Sequence, residues 1–256
     1  MIKAKTIEYS DTKRRIILID ELRGFLILCM IFYHTLYSMC FLFNFYKMKS
    51  ILFFFEPVQP LFAAFFILIS GAVSQLSHSN LVRGLKLMGI SLVITIVTYF
   101  IMPRQIIVFG ILHMLSFSMI TYGIFDKALS NIPTQIGLIL SAVFFLATMN
   151  IEKGFIGISF FKVYIPDYLY NINVLFPLGI TTNEFFSADY FPIFPWIFVF
   201  LFGSFLGRFL KSGNLPQIFY EDKVKFLSFC GRNSLIIYLV HQPIICAILS
   251  IINFIF

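Results

Sequence analysis

The sequence predicts an all-α fold: a polytopic, integral membrane helical bundle of about seven transmembrane helices with a cytoplasmic N-terminus. Three observations predict it. The chain of 256 residues is 59% hydrophobic and only 12% charged, about half the charged fraction of a soluble domain. Its apolar residues collect into runs of the roughly 20 needed to cross a bilayer. Its Lys and Arg are unevenly shared between the loops, as the positive-inside rule requires. One aqueous core cannot hide this much apolar surface, and 35 Phe residues exclude a disordered chain.

The expected spans are 22–43, 57–77, 86–103, 105–124, 133–150, 190–210 and 233–255. Prolines mark several edges: Pro57, Pro103, Pro133 and Pro192. The whole of 1–256 reads as one transmembrane domain, opened by a basic cytoplasmic tail, 1–15, with no signal-peptide cleavage site after it. The segment 151–189 is too apolar for a disordered linker and reads as an ordered extracytoplasmic loop. With the N-terminus inside, 13 Lys and Arg fall on the inner side and 5 on the outer, Arg23 lying at the boundary. The net charge of +7 is therefore an orientation signal and not a nucleic-acid patch. Cys29, Cys40, Cys230 and Cys246 sit in apolar runs without a CxxC pair, so neither a disulfide framework nor a metal site is expected.

Ionisable groups inside spans are costly, so they are the candidate functional residues. In the first span, Arg23 and His34 are eleven positions apart. That is about 20° from whole turns, so they share a face, about 16 Å apart along the axis. Asp20 lies near the same stripe and is expected to pair with Arg23. The plain alternative is that Asp20, Glu21 and Arg23 mark the inner boundary, with Arg23 snorkelling, and that His34 is a hydrogen-bonded core residue. The functional alternative is an elongated donor, its phosphates on Arg23 and its reactive end at His34.

FGILH, 109–113, brings His113, expected to bond a neighbouring helix, and Gly110, which lets another backbone approach it. SADYFPIFPW, 187–196, brings Asp189, Tyr190 and Trp196, the last either an interface anchor or a pocket wall. Gly203 and Gly207 form a GxxxG packing face. GRNSLIIYLVHQP, 231–243, places Ser234, Tyr238 and His241 on one helical face, followed by Gln242. Either a polar cavity or helix–helix glue accounts for that stripe.

With these residues in view, the sequence resembles the membrane acyltransferases related to the catalytic domain of heparan-α-glucosaminide N-acetyltransferase. Asp20, Arg23, Gly24 and His34 match the family's opening motif, and the Arg-to-His spacing is also similar to acyltransferase family 3. The other three motifs follow in order, so the resemblance covers nearly the whole chain. It implies acetyl-coenzyme A as co-substrate with no metal, and transfer to a hydroxyl or amine of an envelope glycan or glycolipid in a bacterial plasma membrane. It also implies that His34 is catalytic and that Arg23 contacts donor phosphate. Asp20, Arg83, Lys86, Arg232 and Asn233 are the expected helpers at the donor end. Asp189 and His241 are expected to orient or deprotonate the acceptor, with His113, Ser234, Tyr238, Gln242, Trp196 and Tyr190 around the cavity. The expected partners are the lipid bilayer, acyl-coenzyme A and the acceptor, not nucleic acid; homo-oligomerisation stays open. The rival reading is a transporter or ligand-binding bundle without chemistry.

Overall fold

The computed structural model describes residues 15–158, 161–211 and 215–255; of the basic tail it describes Arg15 alone. Helix α1 (Ile17–Phe41) is followed by a 3-10 turn, the short α2 (Lys49–Phe55) and α3 (Gln59–Ser74), which opens on Pro60. Helix α4 (Asn80–Ile101) is capped by Ser79, whose Oγ accepts from the Val82 N–H at 3.3 Å. Then come α5 (Ile111–Ser130) and α6 (Thr134–Thr148). Arg208 donates to the carbonyls of Leu129 and Ile132 and so satisfies the C-terminal end of α5. The loop after α6 holds a hairpin, β1 (Phe155–Ile158) with β2 (Phe161–Tyr164), antiparallel with Phe155 opposite Tyr164, and short 3-10 turns. Helix α7 (Ile193–Lys211), the short α8 (Lys225–Arg232) and α9 (Ser234–Ile255) complete the order.

Among the described residues, five helices are long and apolar enough to cross a membrane: α1, α4, Thr134–Lys153, α7 and α9. The pair α2 and α3, bent by 51°, makes a sixth if taken as one span. The expected 105–124 span is displaced. Residues 106–110 are not helical and α5 begins at Ile111. Helix α5 is not among them, and it faces protein: His113, Ser116 and Ser118 on it are buried beside Met114 and Leu115. It sits at the centre, between α4 on one side and α3 and α7 on the other.

Glycine sets two close packings. A Cβ on Gly203 would lie 2.0 Å from the Leu68 carbonyl oxygen of α3, one on Gly207 2.2 Å from that of Ala72, and one on Gly71 2.0 Å from that of Phe200. The GxxxG face is thus the α3–α7 seam. Likewise Gly24 of α1 faces the Leu227 carbonyl oxygen of α8, and Gly231 that of Asp20. Here α8 packs along the first half of α1, and α9 continues beside it after a break at Asn233. Backbone cannot give way as a side-chain tip can, so Gly203→Val is expected to destabilise by about 3 kcal/mol or more. A large drop in thermal unfolding temperature in detergent checks it; an unchanged midpoint would show that the helices slide apart freely.

Candidate functional site

Two stretches that are distant in sequence are stitched together to build the site. The Ala188 N–H donates to the Ile106 carbonyl and the Phe191 N–H to that of Phe109, each at 2.9 Å. The Val108 N–H donates to Ser187 Oγ at 3.1 Å. The stitching delivers Asp189 to the start of α5, where the Ile111 N–H donates to its Oδ2 at 3.1 Å. A carboxylate at a helix N-terminus meets unpaired N–H groups and the positive end of the dipole. Gly110 makes room for this: a Cβ there would lie 2.5 Å from Asp189 Oδ2. The Asp189 carbonyl oxygen would lie 3.1 Å from the same Cβ, so Gly110, expected to admit a backbone beside His113, admits this backbone together with its carboxylate.

The Tyr238 hydroxyl of α9 donates to the same Oδ2 at 2.6 Å. Burial pushes the Asp189 carboxyl above its usual range, while the bonds from Tyr238 and Ile111 pull it back. One turn on, His241 Nδ1 bonds the Tyr238 carbonyl. A carbonyl only accepts, so Nδ1 carries the hydrogen and Nε2 keeps its lone pair. The His241 ring lies 5.2 Å, centroid to centroid, from that of His34 on α1. Among the described residues, the His34 ring makes no hydrogen bond. Gln242 donates through Nε2 to Ser38 Oγ at 3.0 Å, and its buried Oε1 has no protein partner among the described residues.

These groups stand between two voids. The wide one, about 900 Å³, is lined by His34, Asp189, Tyr190, Trp196, Tyr238, His241 and Gln242, all expected from the sequence. Tyr33, Tyr37, Gln59, Thr98 and Glu152 line it too and were not expected. Tyr33 and Tyr37 sit one turn apart beside His34, a helical spacing that flags them. Gln59 and Glu152 carry no such signal, because one starts α3 at a bend and the other lies in a loop turn. The narrow void, about 30 Å³, runs along Leu26, Ile27 and Met30 of α1 and ends at His34, Asp189 and Tyr238. Trp196 packs on Phe191 with centroids 5.2 Å apart and forms part of the cavity wall. Tyr190 donates to the Phe176 carbonyl at 2.6 Å, which fixes its ring in the wall.

Several expected residues stand elsewhere. Asp20 does not pair with Arg23. Arg15 takes its carboxylate through Nε at 2.5 Å and a second N–H at 3.1 Å. Arg23 turns to α9 and donates to Ser234 Oγ at 2.8 Å, leaving a buried Nε without a partner among the described residues. Ser234 is therefore the partner of Arg23 and not a cavity residue. His113 lines neither void. Its Nδ1 accepts from the Gly110 N–H at 3.3 Å, at the start of its own helix, and its Nε2 meets Thr95 Oγ1 of α4 at 3.2 Å, so one nitrogen caps α5 and the other holds it to α4. Asn233 bonds the Phe229 carbonyl at 2.9 Å at the α8–α9 break. Arg83, Lys86 and Arg232 are exposed; of these, Arg83 is close enough for its charge to act on Arg23. Among the described residues, no group of three or more His, Cys, Asp or Glu forms a metal site.

The sequence profile of the family described as "Heparan-alpha-glucosaminide N-acetyltransferase, catalytic" matches residues 15–243. No curated protein and no solved structure matches the chain.

Proposed function

Because the chain belongs to the family of the heparan-alpha-glucosaminide N-acetyltransferase catalytic domain, we propose that this integral membrane protein moves an acetyl group across a bacterial plasma membrane. The donor is acetyl-coenzyme A from the cytoplasm, and the acceptor is a hydroxyl or amine of an envelope glycan or glycolipid. The observation that carries this reading is the placement of His34, Asp189 and Tyr238 where a narrow void and a wide cavity meet, with His241 beside them on the wide one. The narrow void lies along Leu26, Ile27 and Met30, the face of α1 between Arg23 and His34. At about 30 Å³ it has room for about one water, so a donor arm laid there, its anionic end at Arg23 and its thioester at His34, must part these side chains. The unpartnered Nε of Arg23 is the observation that fits phosphate, since a buried guanidinium N–H needs an acceptor.

In the direct route, His34 takes the proton of the acceptor O–H or N–H. The freed oxygen or nitrogen bonds to the acetyl carbonyl carbon. The carbon–sulfur bond breaks, and the coenzyme A sulfur leaves with the electron pair and receives the proton from His34. In the two-step route, a His34 nitrogen displaces coenzyme A first, and the proton the imidazole gives up goes to the leaving sulfur. The acceptor then takes the acetyl group from the imidazole, its proton passing through His241 Nε2 back to His34. In both, the products are the acetylated acceptor and free coenzyme A.

The test is purified protein with acetyl-labelled acetyl-coenzyme A, followed by free thiol and label. Arg23→Ala is expected to raise KM for the donor about tenfold or more, the worth of a charge-assisted bond, with a much smaller change in kcat. Arg23→Lys should recover part of it. An unchanged KM would remove Arg23 from the donor site, and absence of any transfer or hydrolysis by the wild type would overturn the reading.

A further inference from the structure

The wide cavity is flanked by two helices that do not pack on each other. Helix α4 rests on α5, and α9 rests on α1 and α8; among the described residues α4 and α9 leave a fissure. Val93, Val97 and Ile101 of α4 form one lip, and Leu239, Pro243 and Cys246 of α9 the other. The α4 lip lines the cavity and is 57%, 45% and 72% exposed. Both helices are long and apolar enough to cross a membrane. Val97 is seventeen residues into α4, about 25 Å along a helix axis, so the fissure opens on hydrocarbon in one half of the bilayer. No charged residue lies on the named lips. Polarity rises inward to His34, His241, Asp189 and Gln242, whose Oε1 waits for a donor.

We infer that the cavity takes a lipid-anchored amphiphile sideways from the membrane, through the α4–α9 fissure. Its hydroxyl- or amine-bearing head meets His34 and His241, and its apolar chain stays between Val97 and Pro243. A purely aqueous sugar leaves the apolar lips unused, whereas an acyl chain there keeps its contact with hydrocarbon and removes no apolar surface to water. Gln242 Oε1 would accept from the head group. That the amphiphile is the acetyl acceptor rests on the acyltransferase reading; that it enters does not.

The experiment uses the full chain in vesicles of phosphatidylethanolamine and phosphatidylglycerol containing a glucosyl-diacylglycerol with a diazirine in its acyl chain next to the head group. After irradiation, label is mapped to residues. The expected result is label on the inward-facing Thr98, Gln242 and Cys246, severalfold above the outward-facing Ile139 of α6. Val97→Trp, which fills the fissure, should reduce the inward label severalfold and leave that on Ile139 unchanged. Label spread evenly over outward faces overturns the inference, as does a fissure left bare because a second copy of the chain seals it. Acetyl-labelled acetyl-coenzyme A in the same vesicles, with soluble glucosamine added, separates the two readings. Inward photolabel without acetyl transfer to lipid or sugar keeps the access route and defeats the transferase. Acetyl on glucosamine alone, with no inward photolabel, keeps the transferase and defeats the access route.

Discussion

His34→Ala is expected to lower acetyl transfer by about a thousandfold in kcat, the scale of a lost general base, while the protein still folds and still binds coenzyme A. The expectation follows from position. His34 lines both the narrow void and the wide cavity, so a donor on one side and an acceptor on the other meet at its ring. Among the described residues it makes no hydrogen bond, so its removal breaks no network, and the thermal midpoint should move little. His241 has its Nδ1 tied to the Tyr238 carbonyl, so His241→Ala disturbs the start of α9 as well as any proton transfer. Its loss in kcat should be smaller, about tenfold to a hundredfold. Labelled acetyl-coenzyme A without acceptor divides the two routes. Acetyl retained on the wild-type protein and absent from His34→Ala marks the acyl-imidazole path; prompt hydrolysis without retained label marks the direct one. Undiminished transfer by His34→Ala would end the proposal for this residue.

The Arg23–His34 stripe was readable because both residues lie on one helix, where about 100° per residue turns spacing into geometry. The narrow void lined by Leu26, Ile27 and Met30 follows that same face. The partner of Asp20 was misread, since two candidates lay within reach and tertiary packing decided between them: Arg23 is drawn to Ser234 on α9, leaving Arg15 free to pair. Helix α8 was invisible because a search for long apolar runs passes over eight amphipathic residues. Its role in seating α1 lies in Gly24 and Gly231, glycines whose necessity appears only when the two backbones are seen to touch. The pairing of Asp189 with Tyr238 spans 49 positions, and no local pattern encodes a contact of that kind. Spans were readable to within several residues at α1, α4, α6, α7 and α9; α3 reaches a membrane's width only with the bent α2 before it, and α5, shielded by its neighbours, has no need to be apolar throughout.

Asp189→Asn is expected to cost about a hundredfold in kcat with little loss of stability, and the contrast with Asp189→Ala makes the case. The alanine removes the acceptor that holds the Ile111 N–H, so the start of α5 loses its cap and unfolding is expected to come earlier by about 1 kcal/mol or more. Asparagine keeps an oxygen for that N–H but no charge. That same oxygen still accepts from Tyr238, since both bonds fall on Oδ2, but a neutral acceptor holds the phenol less strongly than a carboxylate does. Tyr238 in turn holds His241 Nδ1 through its carbonyl, so the loss is that of the charge at this bond, and pH exposes it. Burial has raised the Asp189 carboxyl, so in the wild type its charge disappears as pH falls through a value above the ordinary carboxylate range. Tyr238, His241 and His113 are the titratable groups near enough to feel the change. An acid limb of the rate profile should stand at that raised position and be absent from Asp189→Asn. Tyr238→Phe tests the same bond from the other side. If the pair acts as one unit, the double variant should be hardly worse than either single variant. Losses that simply multiply would show that Asp189 and Tyr238 work separately, Asp189 through the helix terminus and Tyr238 through the cavity wall.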